Sequence, residues 1–312
     1  MTTTDSSERS HGKLLTRVFY GSSGLRSGWR VLAFIGLMAL FELQVSRIIE
    51  IEHKLFGAGE SAGGVLFEKA ILFSLVLAVI FVIGAIENRS FAEYGLPFRK
   101  MFGKDFWRGS IFGLAILTAN IALMLLTGAY SFGEITMPMS QIAKYGVGWL
   151  AADFMVALSE EFVFRSYLQF TLTRGMGFWP ASIVTSVLFG LVHLDTSAPW
   201  QAIANIALLA LLLCLALRRT GNLWFGIGSH MAFDWGLSFL YSCNPDAHGH
   251  LLSATMQGSP LFTGGSAGPE GNIFNVLLVA AGILILSRIY PVAKYPVSPG
   301  IEIAASNSRI VS

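Results

Sequence analysis

Apolar runs about as long as a bilayer is thick recur along this chain, and no other feature restricts its fold as much. A hydrocarbon core of ~30 Å takes about 20 helical residues to cross, and fewer where protein encloses the segment. Eight candidate spans meet that measure, at residues 29–49, 65–86, 106–127, 147–170, 179–195, 200–217, 223–242 and 272–290. Lipid offers no water to satisfy backbone N–H and C=O groups, so apolar spans of this length cross as helices. The sequence therefore predicts an all-α fold, a polytopic membrane helix bundle of about eight transmembrane helices. Charged residues make up 13% of the chain and apolar residues 54%, where a soluble domain carries about 25% charged residues.

Charge placement sets the orientation and narrows the partners. Sixteen Lys and Arg residues fall on the side of the N-terminus, and Arg47, Lys54, Lys69 and Lys144 fall on the other, with Arg165 inside a span. The positive-inside rule then puts both termini in the cytoplasm. A net charge of +2 without a basic cluster gives no basis for a nucleic-acid partner. The two cysteines, Cys214 and Cys243, lie in or at the end of apolar spans and do not suggest a disulfide framework. Residues 1–28 read as a polar cytoplasmic segment without the short apolar core of a cleaved signal peptide. A single membrane domain over 29–290 follows, and 291–312 reads as a cytoplasmic tail.

The fourth to seventh spans carry polar residues that cost free energy in lipid, about 2.5–3.5 kcal/mol for a charge at the centre on insertion scales. Three fragments share one spacing. In "EEFVFR" Arg165 follows Glu161 by four residues, in "FGLVH" His193 follows Phe189 by four, and in "HMAFD" Asp234 follows His230 by four. A four-residue step keeps two side chains on one helical face. Glu161 and Arg165 can thus pair, and Glu160 is left about 100° around the helix to face something else. Alone, the Glu–Arg pair reads equally well as a structural lock between helices, His193 as a satisfied interhelical hydrogen bond, and Asp234 as a carboxylate fixing the His230 ring. Together, two carboxylates and two histidines supply a general base, ring donors and potential metal ligands, which is what water activation requires. The "HGH" of His248–His250 sits in a Gly- and Ser-rich outer loop and reads as solvated loop.

The order EExxxR, FxxxH, HxxxD on successive late helices resembles the CPBP family of intramembrane proteases. That family includes the endopeptidases that process prenylated CaaX proteins and the bacteriocin-immunity, or abortive-infection, relatives. The motif-bearing core covers about residues 147–240. The resemblance implies hydrolysis of a peptide bond in a membrane-associated peptide or protein by an activated water, in the inner membrane if the cell is bacterial. It assigns Glu160 as general base and His193 as the group holding the water. His230 would donate to the developing oxyanion, and Glu161 would orient the site through Arg165. The prenyl-protein endopeptidases typically carry Asn where this chain has Asp234. Asp234 would then be a protonated donor, an orienter of His230, or a metal ligand. If a metal is bound, Zn²⁺ is the candidate cofactor, with Glu160, His193, His230 and Asp234 as candidate ligands.

Two readings from other classes stand beside the endopeptidase. One is a non-catalytic immunity or scaffold protein that keeps the polar cluster for structure. The other is a transporter, which the absence of paired, broken helices in repeated halves disfavours. Depth sets a condition on any shared site. At 1.5 Å per residue the expected boundaries put Glu160 and His230 ~10 Å from the cytoplasmic face and His193 ~21 Å from it. They meet only if the fourth span overshoots the bilayer and the fifth begins below it. "HLDTSAP" would then be a break lining a cavity.

Overall fold

The computed structural model describes residues 19–21, 24–42, 45–56, 61–87, 94, 96–193, 200–244 and 247–295. Among these, helix dominates, and strand is confined to two short antiparallel pairs, Tyr20–Gly21 with Gly24–Leu25 and Tyr130–Ser131 with Thr255–Met256. The helices are α1 (Ser27–Glu42), α2 (Val45–Phe56), α3 (Ala62–Glu87), α4 (Lys104–Leu126), α5 (Met139–Glu161), α6 (Gln169–Met176), α7 (Phe178–Val192), α8 (Trp200–Thr220), α9 (Trp224–Trp235), α10 (Pro260–Thr263) and α11 (Phe274–Ile289).

Four segments among the described residues are long and apolar enough to cross a membrane: Ala62–Ala85, Lys104–Leu126, Trp200–Thr220 and Gly265–Ile289. The last combines a tight 3₁₀ segment, Gly265–Gly271, with α11. Ser27–Leu40 and Phe178–Val192 are shorter apolar helices. The remaining two expected spans, 147–170 and 223–242, are helical but interrupted by polar residues. Within the first expected span, 29–49, the described residues are helical in α1 and at the start of α2, and residues 43–44 lie outside the described residues. α2 alternates charge with Ile and Leu in the pattern of an interfacial helix.

The long hairpin of α5, α6 and α7 meets the depth condition. α5 runs without a break through a seven-residue π-helical segment, Phe162–Leu168, into α6. The rod over 139–176 is therefore ~57 Å long at 1.5 Å per residue, well beyond the ~30 Å hydrocarbon core. Gly177, at φ 85°, supplies the left-handed turn that reverses the chain into α7. Glu160 lies 17 residues before Gly177 and His193 lies 16 after it, so the two arms bring them to one level. The 15-residue α7 ends one residue before His193. Of the expected "HLDTSAP" break, residues 194–199 lie outside the described residues.

α9 is placed by close packing on α4. A Cβ at Gly113 would run into the carbonyl of Ser229, one at Gly109 into that of Phe225, and one at Gly228 into that of Phe106. Small residues four apart let backbones approach where lipid supplies no hydrophobic drive, and Gly109 and Gly113 have that spacing. α9 contributes His230 and Asp234 and continues as a second π-helical segment, Gly236–Leu240. Among the residues buried beside the site, Phe162, Tyr167, Ala232 and Met231 belong to the larger core.

Candidate active site

The π-helical segment begins one residue after Glu161 and contains Arg165. Widened turns of this kind recur at functional sites because they redirect side chains within a helix. Arg165 Nη1 lies 2.9 Å from Glu161 Oε1, and both side chains are 1% exposed. The guanidinium N–H groups make no well-directed hydrogen bond, so the contact is chiefly an ion pair. The Arg165 guanidinium also lies over the Phe189 ring at 4.2 Å, a cation–π contact that partly replaces lost hydration.

Glu161 reaches the site on its other flank. Its Oε1 accepts from His230 Nδ1 at 3.1 Å, and Gly226 leaves the room for it, since a Cβ there would stand 3.1 Å from Glu161 Oε2. His230 Nε2 faces Asp234 Oδ2 at 3.3 Å and Glu160 Oε2 at 3.8 Å. Carboxylates thus stand at both ring nitrogens, and the imidazole is fixed in plane and direction. His193 is fixed differently. Its Nδ1 lies 2.7 Å from the Phe189 carbonyl, and a carbonyl can only accept, so Nδ1 carries the proton. In the neutral ring the lone pair is then on Nε2. The Phe189 ring links the two histidines, 4.5 Å from His193 and 6.0 Å from His230.

Glu160, His193, His230 and Asp234 line one cavity of about 940 Å³. Glu161 and Arg165 do not line it. They stand behind it and hold His230 and Phe189. All six residues singled out in the sequence therefore converge, in two tiers. His248 and His250 take no part. The carbonyl of His248 accepts from Trp149 Nε1 and that of His250 from Thr136 Oγ1, so this loop serves structure.

Two cavity residues escaped the sequence reading. Lys69, counted there as an outer flanking charge, belongs to α3, and its Nζ lies 3.5 Å from Glu160 Oε1 and 3.8 Å from Glu68 Oε1. Glu270, from the loop before α11, forms part of the same wall. A lysine near the start of an apolar run reads as a flank, and a glutamate in a Gly- and Pro-rich stretch reads as loop. Among the described residues, no group of three or more His, Cys, Asp or Glu is set to hold a metal ion.

The described residues thus set carboxylates and histidines around one cavity, among helices of which four segments are long and apolar enough to cross a membrane. Residues 142–236 match the family model described as type II CAAX prenyl endopeptidase, Rce1-like. The matched stretch contains all three motifs and is consistent with a CPBP family intramembrane protease. The match supports a protease, and together with the four long apolar segments it points to an integral membrane protein. Comparison with curated proteins found no match, and comparison with solved structures found none either.

Proposed function

We propose that the chain is an intramembrane endopeptidase that hydrolyses a peptide bond of a membrane-associated substrate with a water activated by Glu160. The observation that carries this reading is that Glu160, His193, His230 and Asp234 line one cavity while Glu161 and Arg165 brace it from behind. Glu160 removes a proton from water, and the hydroxide adds to the scissile carbonyl carbon. His193, with its Nε2 lone pair, accepts from the same water and orients it. The carbonyl oxygen becomes an oxyanion, and His230, protonated on both nitrogens with Nδ1 held by Glu161, turns its Nε2–H from Asp234 to that oxyanion. Removing one such donor costs about 2.7–4 kcal/mol in other hydrolases. The C–N bond then breaks, and the proton held by Glu160 passes to the leaving amine.

Asp234 acts in this scheme by orienting His230, since its carboxylate engages the ring nitrogen that serves the oxyanion. One membrane domain over residues 29–290 carries the activity, with both termini in the cytoplasm of the cell whose membrane holds it. The test is proteolysis of a library of membrane-anchored peptides by the purified protein beside Glu160→Ala. Cleavage by the wild type and none by the variant is expected. Absence of cleavage by both, with the protein folded, would favour the non-catalytic scaffold instead.

A further inference from the structure

The segment carrying Glu270 is fixed from several directions. Gly268 adopts φ 57°, ψ −149°, a conformation that favours glycine. On either side of Glu270, buried asparagines hold the backbone. Asn120 of α4 donates to the Pro269 carbonyl at 3.0 Å, and Asn205 of α8 donates to the Gly271 carbonyl at 3.0 Å. Asn275 of α11 donates to the carbonyls of Pro269 and Glu270 itself. Asn272 closes the network by donating to Asn120 Oδ1 at 2.6 Å. Buried amides are expensive unless satisfied, and satisfied networks rigidify what they hold. Three helices therefore commit polar groups to fixing one short loop.

The side chain so placed is a carboxylate on the cavity wall. The other carboxylates of that wall have partners: Glu160 and Glu68 the Lys69 ammonium, Asp234 the His230 ring, Glu52 the His53 ring and Asp153 the Ser238 hydroxyl. Glu270 has no side-chain hydrogen bond or ion pair among the described residues. Asp234, another carboxylate, and the histidines His193 and His230 act on it electrostatically. The proton on His193 Nδ1 is already given to Phe189. The lining thus holds six described carboxylates against one lysine and three histidines. An uncompensated carboxylate in such a wall is costly without a counter-charge.

We propose that Glu270 determines specificity by receiving a cationic side chain of the substrate, a lysine ammonium or arginine guanidinium near the scissile bond. This rests on the endopeptidase reading and adds a substrate class to it: membrane-associated chains with a basic residue beside the cleaved bond. Asp234 faces the same space and reinforces the attraction, while the clamped loop fixes the distance between the cation and the cleavage point.

The test uses the full-length protein in detergent, a chelating buffer, and membrane-anchored peptides identical except for Lys, Gln or Glu at the positions flanking the cleaved bond. The wild type is expected to favour Lys over Gln in kcat/KM by about tenfold at one position, as a desolvated charge pair allows. That ratio should shrink as ionic strength rises. Glu270→Gln should bring it to within about twofold of unity, and Glu270→Lys should turn the preference towards Glu. Cleavage without a Lys preference, a preference insensitive to salt, or a Glu270→Gln enzyme that keeps the wild-type ratio would each overturn the proposal. Equal loss on all peptides keeps the ratio and so counts against it. Failure of the wild type to cleave any peptide would overturn the endopeptidase reading as well, which separates the two.

Discussion

Replacing Arg165 with Met should destabilise the protein and release the site from behind. Arg165 and Glu161 are each 1% exposed and 2.9 Å apart, so the substitution leaves a buried carboxylate whose remaining partner is His230. Breaking a buried pair by removing one partner costs 3–5 kcal/mol. Because the guanidinium N–H groups are poorly directed, we take the lower end, about 3 kcal/mol. At roughly 2 °C per kcal/mol for a chain of this size, Tm should fall by about 6 °C. The double variant Glu161→Gln/Arg165→Met removes the orphaned charge and should recover about half of that loss, the signature of coupled neighbours. Thermal unfolding of the four proteins of this cycle in detergent reads the effect directly. A single variant within 1 °C of the wild type would refute the buried-pair account. So would a double variant that falls by the sum of the two single losses.

Asp234→Asn should retain substantial activity, losing about 1 kcal/mol or roughly fivefold in kcat/KM, because Asn can still accept from His230 Nε2. A dead variant together with stoichiometric zinc in a wild type purified without added metal would instead make Asp234 a ligand. Lys69→Met removes the cation 3.5 Å from Glu160 and should lower kcat roughly tenfold, about 1.4 kcal/mol in the barrier. Lys69→Arg should restore most of it, and an unaffected kcat in Lys69→Met would detach Lys69 from the base. A reporter fused after Ser312 should be cytoplasmic, and an extracytoplasmic reporter would mean a miscounted span.

Much of this architecture is legible in sequence because its determinants are local. Lipid forces helices on apolar runs, and four-residue spacings put Glu161 with Arg165 and His230 with Asp234 on shared faces. Even the clash in depth between Glu160 and His193 pointed to the overlong α5–α6 rod. The residues that escaped act across the fold. Lys69 meets Glu160 from a helix 91 positions earlier, and Glu270 is presented by amides from Asn120 and Asn205, which leave no periodic trace near it. Side chains that contact over long sequence separations, and helices whose polar face meets a cavity, are where one-dimensional pattern ends.

The central claim is that Glu160 is the base, and the most direct measurement is the single-turnover cleavage rate of Glu160→Gln beside the wild type, with thermal unfolding of both. Gln fills the same space but takes no proton from water. The account predicts a loss of at least about 100-fold in rate, the low end of what a general base contributes, with Tm almost unchanged because Glu160 lies at the cavity and not in the buried tier. A folded Glu160→Gln protein that cleaves at the wild-type rate would contradict it.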